Sequence, residues 1–115
     1  MERKVLYIDY IFDSKEKLKE ELIKRVNQMK DIIKKVEEKY GRDNKVIIKN
    51  STMIDLKETL ILTLNYLAKF NSDKVKEYKD KIIQKLAYIR ENRILTLNQY
   101  KDIYWLLRQI LNDNL

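Results

Sequence analysis

The chain of 115 residues contains no histidine, no cysteine and no proline, and its single glycine is Gly41. It therefore lacks a side chain that titrates near neutral pH, a thiolate nucleophile and the ligands that most zinc, copper and haem sites use. With one glycine, it also has no glycine-rich loop to hold a phosphate group. These absences predict a non-enzymatic protein with no metal and no cofactor. A metal-dependent nuclease built from carboxylates is a distant alternative, because the clustered pair of acids that it needs is not visible.

Length and hydropathy set further bounds. A chain of 14.1 kDa is expected to form one helical domain, residues 1–115, whose core needs no disulfide or metal. No segment approaches the roughly 18 uninterrupted apolar residues of a membrane span, since the nearest, residues 60–67, is broken by Thr63 and Asn65. The charged start and the early Asp9 make a poor signal peptide. We therefore expect a cytoplasmic protein with no membrane partner.

The net charge of the chain is +7 at pH 7, with a pI near 9.5. A basic protein gains free energy on a polyanion by releasing the counterions, so this charge favours nucleic acid as a partner. A second interpretation is compositional. Lysine outnumbers arginine 19 to 6, and asparagine, isoleucine and tyrosine are also abundant, as in proteins from AT-rich genomes.

Two short segments have the pattern of β-strands. Residues 4–12 are β-branched and aromatic and alternate in the manner of a strand, although an irregular or helical start is the rival interpretation. Residues 45–50 form a second such segment. Because a lone strand leaves its backbone donors unpaired, we expect these two segments to pair as a short two-stranded β element.

The rest of the chain predicts helices, at about 15–40, 53–70, 73–91 and 97–113. The second is apolar around more than half of its circumference and is expected to be the buried central helix. Its apolar positions are Met53, Ile54, Leu56, Leu60, Ile61, Leu64, Leu67, Ala68 and Phe70. The connections are short, which favours antiparallel neighbours. The predicted fold class is mainly α, a compact antiparallel bundle of about four helices with the short β element.

Helix ends are marked by local sequence. Gly41 fits the left-handed position after the first helix, and Ser51 or Thr52 is expected to cap the second. Thr96 and Gln99 have the spacing of a capping box, in which each side chain bonds the backbone N–H of the other residue. The box predicts a helix that starts at residue 97.

The third helix carries a candidate nucleic-acid-binding face beside its apolar stripe. Its residues are Lys74, Lys81, Lys85 and Tyr88, extended by Arg90 and Arg93. At 100° per residue the first four lie within about 60° of one another, and Glu77, Asp80 and Glu91 are expected on the far side of the helix. Such a face could follow a phosphate backbone, with Tyr88 available for stacking. The alternative is that these lysines only flank a buried stripe and extend their ammonium groups into solvent.

Recognition of a particular base sequence is not expected. Residues 82–111 superficially resemble a helix-turn-helix motif, but the early part of the second helix offers only Asn98, Gln99 and Lys101 as polar contacts. Binding through the third helix would therefore depend on phosphate contacts, with low specificity for DNA or RNA sequence.

Trp105 is the only tryptophan, and helical periodicity directs it away from the buried face of the fourth helix. Its polar neighbours Lys101, Arg108 and Gln109 complete a candidate partner interface. Tryptophan is enriched at binding hot spots, so this face could bind another protein or a second copy of the chain. Alternatively, residues 4–12 fold over Trp105 and bury it within the monomer.

Two functions follow from these features. The leading hypothesis is a small basic regulatory protein that associates with nucleic acid through the cations of the third helix. The alternative is a protein-protein interaction module, an inhibitor or adaptor that acts through the Trp105 face, either as a monomer or as a homodimer. The two differ in their response to salt, because phosphate contacts weaken steeply as salt rises.

Overall fold

The structure, a computed structural model, describes residues 15–42, 45–92 and 94–113. Within these ranges the chain is mainly helical, as predicted, and forms four helices. They are α1 (Lys15–Tyr40), α2 (Asn50–Phe70), α3 (Ser72–Asn92) and α4 (Leu97–Asn112). The predicted strand at 4–12 lies outside the described residues. No helix of the described ranges is both long and apolar enough to cross a membrane.

Side-chain contacts define how α4 packs on α1. Lys101 near the start of α4 reaches Glu37 near the end of α1, and Arg108 near the end of α4 reaches Asn27 in the middle of α1. The order of contacts is reversed along the two helices. The two helices are therefore antiparallel.

The same reasoning places α3 against α4. Gln99 at the start of α4 donates to the hydroxyl of Tyr88 late in α3, and Asp113 just after α4 accepts from Tyr78 early in α3. Only Asn71 separates α2 from α3, which pack against each other, and α1 packs against α2. The helices thus alternate in direction around a common core. This confirms the predicted antiparallel bundle.

The start of α4 and the end of α1 follow their local sequence. The N–H of Thr96 donates to the Gln99 side chain at 2.9 Å, and the N–H of Gln99 donates to the Thr96 hydroxyl at 3.4 Å. The predicted capping box is therefore confirmed. Gly41 has φ of +71°, the left-handed conformation that the helix stop requires.

The predicted cap of α2 is wrong. This helix begins at Asn50, its N-cap is Lys49, and no side chain caps it, so Ser51 and Thr52 lie inside the first turn. The chain immediately before it is held by the N–H of Ile48, which donates to the carbonyl of Leu95 at 2.7 Å. Because tertiary pairing fixes the backbone up to Ile48, the helix starts earlier than its capping residues suggest.

The predicted β element is not confirmed. Residues 45–50 form no strand, and their backbone pairs instead with the connection between α3 and α4. Two hydrogen bonds of 2.7 Å, from Ile48 N–H to Leu95 and from Leu97 N–H to Val46, flank a single antiparallel bridge between Ile47 and Thr96. This bridge joins the two connections at one end of the bundle and buries Ile48 and Leu95 there.

The core lies between the four helices, and α2 is one wall of the bundle. α2 contributes eight buried residues to the core, but the prediction that it is buried around more than half of its circumference is wrong, because Ile54 and Ile61 are 52% and 49% exposed on its outer face. The inner face of α2 also includes two polar residues. Thr59 and Thr63 are buried, and each hydroxyl donates at 2.8 Å to the carbonyl four residues earlier. A threonine that satisfies its own hydroxyl in this way can occupy a core position.

Candidate functional site

An open groove of about 900 Å³ runs between the second half of α1 and the first half of α4. Its residues are Asn27, Lys30, Asp31, Ile33, Lys34, Glu37, Glu38, Arg42, Lys101, Tyr104 and Trp105. Ile33 is a partly buried residue of α1 that packs against the core, and the two aromatic residues come from α4. The groove thus combines an apolar floor with charged walls.

Trp105 lies at the rim of this groove with 63% of its surface exposed. Its neighbour Tyr104 is buried in the core, and the two rings meet edge to face with centroids 5.2 Å apart. Since consecutive helical residues point about 100° apart, Trp105 is directed outwards while Tyr104 anchors its edge. An aromatic side chain of this size with so much exposed surface is typical of a binding site.

Two contacts between α1 and α4 flank Trp105. On one side, Lys101 Nζ lies 3.1 Å from Glu37 Oε2. On the other, Arg108 donates to the Asn27 side chain at 3.5 Å, and its guanidinium carbon lies 5.8 Å from the ring centroid of Tyr104. Of the predicted interface residues, Lys101 lines the groove, and Arg108 lies outside the lining but joins α4 to the lining residue Asn27. Gln109 is exposed but does not line the groove.

The charged residues of the α1 wall differ in their partners. Glu37 is neutralised by Lys101, whereas Lys30 and Lys34 make no ion pair within the described ranges. The same holds for Asp31 and Glu38. Sequence reasoning from the Trp105 face did not identify any of these α1 residues. The apolar residues Ile33 and Val36 indicate that this part of α1 packs against another element. They do not indicate which helix that element is.

Lys74, the first predicted phosphate ligand, is part of a polar cluster in the structure. Its ammonium lies 2.8 Å from Asp113 and 3.4 Å from Glu77. The prediction that Glu77 lies on the far side of the helix is therefore wrong, because residues three apart in a helix point only about 60° from each other. The hydrogen bond to Asp113 is the main cause of the raised pKa of Lys74. The hydrogen bonds from Lys74 and Tyr78 lower the pKa of Asp113 in turn. The positive charge of Lys74 is thus compensated within the bundle.

The other residues of the predicted face differ in their exposure and in their contacts. Lys81 is exposed, with its ammonium 5.8 Å from the Tyr78 ring centroid, and Lys85 is half-buried one turn further along. Tyr88 is anchored to α4 by the hydrogen bond from Gln99, and Arg90 is exposed. Arg93 lies outside the described residues. The structure brings Lys85 and Tyr88 together, since both line a cleft of about 230 Å³ between α3 and α4, and the role of the whole set stays a prediction.

The described ranges hold a further cleft but no cluster of metal-binding residues. They contain no group of three carboxylates, histidines or cysteines that could hold a metal ion. A smaller cleft of about 270 Å³ between α1 and α2 is lined by Arg25, whose guanidinium bridges Glu21 and Glu58. Tyr100 lies at this cleft, and burial raises the pKa of its hydroxyl.

Comparison with protein-family models, curated proteins and solved structures finds no match to this chain. The function is therefore inferred from the geometry of the chain itself.

Proposed function

We propose that this protein is a non-enzymatic protein-interaction module that binds its partner in the groove between α1 and α4, with Trp105 as the anchor. The observation that carries the proposal is the 63% exposure of Trp105 beside that groove. Hot spots of protein interfaces are enriched in tryptophan and lie in pockets that exclude water when the partner is bound.

The free energy gained by burying Trp105 is large enough to contribute substantially to the binding of a partner. If a partner covers the exposed part of Trp105, it buries roughly 100–150 Å² of mainly apolar surface, which at about 25 cal/mol per Å² favours binding by roughly 2.5–4 kcal/mol. The groove walls are already joined by the contacts of Lys101 and Arg108 with α1. A site whose walls are fixed before binding loses less conformational entropy on association.

A comparison of two variants tests this proposal. Tagged wild-type protein, Trp105→Ala and Ile61→Ala are used to capture proteins from a lysate of the source organism, and the captured proteins are purified and titrated against each variant. Ile61 is a matched control because it is a large, half-exposed apolar residue on another face. We expect Trp105→Ala alone to lose the partner. Equal affinity of all three for every purified candidate would contradict the proposal.

Nucleic-acid binding through α3 is the second candidate function. It is favoured by Lys81, Lys85 and Arg90, none of which makes an ion pair within the described ranges. Charges without an intramolecular partner are available to release counterions from a phosphate backbone. Because Lys74 is held by Asp113, we expect it to contribute less than its position on the helix suggests.

A retention assay on DNA and RNA at about 50 mM salt tests the second candidate. The triple variant Lys81→Glu, Lys85→Glu and Arg90→Glu should abolish retention regardless of sequence. Lys76→Glu with Lys79→Glu is the control for net charge, since both lysines are exposed elsewhere on α3. Unchanged binding by the triple variant, or no binding by the wild type, would exclude this function.

A further inference from the structure

We infer that the partner occupying the groove is an amphipathic α-helix that carries acidic side chains beside its apolar face. This inference rests on the proposed function and specifies the chemistry of its partner. Three features of the groove support it, namely its shape, its apolar floor and the sign of the charges without an ion pair that lie nearest to that floor.

The shape of the groove fits a helix. Its walls are two antiparallel helices, and its lining residues on α1 run from Asn27 to Glu38, with Arg42 beyond the end of the helix. At 1.5 Å per residue the 11 steps from Asn27 to Glu38 span about 16 Å, the length of about three turns of a partner helix. A third helix laid between two neighbours in this way is a recurrent mode of peptide recognition.

The floor supplies apolar contacts at helical spacing. Ile33 of α1 and Tyr104 of α4 both line the groove, and the exposed ring of Trp105 meets the ring of Tyr104 edge to face. Side chains one turn apart on an approaching helix, at positions i, i+4 and i+7, would lie along this floor. The partner therefore presents a stripe of apolar residues.

Among the charged α1 residues of the groove that make no ion pair within the described ranges, those nearest to Ile33 are positive. At 100° per residue, Lys30 and Lys34 lie about 60° and 100° from Ile33 around α1, whereas Glu38 and Asp31 lie about 140° and 160° away. These two acidic residues are thus further from the floor than the lysines. Glu37 lies closer to Ile33 than either lysine does, about 40° away, but its charge is neutralised by Lys101.

Arg108 adds a second positive group on the α4 side, where it contacts only the neutral side chains of Asn27 and Tyr104 among the contacts described. A helix in the groove therefore meets Lys30 and Lys34 on the α1 side, and Arg108 lies next to the groove on the α4 side. Acidic flanks complement this arrangement, and the net charge of +7 attracts an acidic partner at longer range.

A pair of designed peptides tests the inference. Both are helical, about four turns long, free of tryptophan and apolar at positions i, i+4, i+7 and i+11, with flanks of glutamate in one and lysine in the other. Trp105 is the only tryptophan of the chain, so its emission reports occupancy of the groove directly. We expect the glutamate peptide to shift this emission to the blue and to bind about tenfold more tightly than the lysine peptide, because two ion pairs at a rim supply about 1.4 kcal/mol.

Charge reversal in the protein provides the matched test. The double variant Lys30→Glu and Lys34→Glu should lose or invert the preference for the glutamate peptide. Lys76→Glu with Lys79→Glu makes the same change in net charge on α3 and should keep the preference. Equal affinity for both peptides, no shift with the glutamate peptide at about 1 mM, or the same preference in all variants would overturn the inference.

The remaining outcomes identify other occupants and also overturn it. A blue shift that grows with protein concentration alone indicates a second copy of the chain, and blue emission at every dilution indicates that the chain covers its own groove. A blue shift with a single-stranded oligonucleotide but not with the glutamate peptide indicates nucleic acid. If a captured partner still binds through Trp105 while the glutamate peptide does not, the proposed function stands and this inference fails. If capture does not depend on Trp105, both fail.

Discussion

The ammonium of Lys101 lies 3.1 Å from the carboxylate of Glu37, 64 residues earlier in the chain. Their side chains are only 23% and 28% exposed, so the pair is partly shielded from water. The contact joins α4 to α1 beside Trp105 and fixes the width of the groove at that point. It also removes the negative charge of Glu37 from the wall that a partner would contact.

The Lys101–Glu37 contact should show measurable coupling. In a double-mutant cycle with Lys101→Ala and Glu37→Ala, we expect a coupling free energy of about 0.5–1 kcal/mol in urea denaturation, because both groups are partly desolvated. Added salt should reduce the coupling. A parallel cycle with Lys79 and Glu37, which form no ion pair, should be additive within error. Additivity in both cycles would mean that the contact does not hold the groove walls.

The capping box at the start of α4 should contribute to global stability. Thr96→Ala removes the acceptor for the Gln99 N–H and is expected to lower the free energy of unfolding by about 1 kcal/mol. Thr96→Ser keeps the hydroxyl and should change little, and Asn98→Ala, at an exposed position of the same turn, is the control. Equal stability of Thr96→Ala and the wild type would show that the bridge to Ile47 alone fixes this end of α4.

Features determined by neighbouring residues were predictable from the sequence. The capping box and the left-handed Gly41 each depend on a few adjacent positions, and both are confirmed. The outward direction of Trp105 follows from helical phase and is also observed. Each of these features depends on one helix and its ends. The types of a few adjacent residues and the geometry of the helix determine them.

Features that depend on distant residues were not predictable. The start of α2 is set by the bond between Ile48 and Leu95, which lies far along the chain. The charge of Lys74 is compensated by Asp113, which also lies far along the chain and is brought close only by the packing of α3 against α4. The α1 wall of the groove escaped prediction because helical phase shows which side of α1 is packed but not which helix packs against it.

The contact between Lys74 and Asp113 should make stability depend on pH on the acid side. The pKa of Asp113 is lowered from 3.8, chiefly by the hydrogen bonds from Lys74 and Tyr78. The contribution is therefore complete above about pH 5, declines as the pH falls through 3.8, and is lost below the lowered pKa of the folded state. Asp113→Asn should lose less stability than the wild type between about pH 5 and pH 2 in urea denaturation.

The control for this pH dependence is Asp102→Asn, which changes an exposed aspartate of α4 that makes no ion pair within the described ranges. This variant should follow the wild type across the acid range. A carboxyl NMR titration of Asp113 gives the direct measurement. A midpoint at or above 3.8 would contradict the hydrogen-bonded geometry.

Adjacent residues of α2 should differ sharply in their importance for stability. Leu60 is fully buried, and Leu60→Ala should cost roughly 2–5 kcal/mol through the cavity that it leaves. Ile61 is half-exposed, and Ile61→Ala should cost less than about 1 kcal/mol. Chemical denaturation of both variants measures the difference. Similar costs would mean that the outer face of α2 is covered by another surface in solution.

Trp105 decides between a binding surface and a core residue. Because most of its surface is exposed and its main contact is the edge of Tyr104, Trp105→Ala should lower the free energy of unfolding by only about 0.5–1.5 kcal/mol. Its emission in the free protein should be red-shifted and accessible to a soluble quencher. Binding of the partner should shift the emission to the blue, and Trp105→Ala should weaken that association by about 2 kcal/mol or more.

Trp105→Phe is the control for that test, since it keeps an aromatic ring on Tyr104 while reducing the apolar area offered to a partner. We expect its stability to match the wild type and its affinity to fall between those of the wild type and Trp105→Ala. A core residue would behave differently in every measurement. Its emission would be blue and inaccessible to quencher in a monomer at any dilution, and Trp105→Ala would cost roughly 3–5 kcal/mol of stability. That combination would remove the anchor on which the proposed binding of a partner in the groove depends.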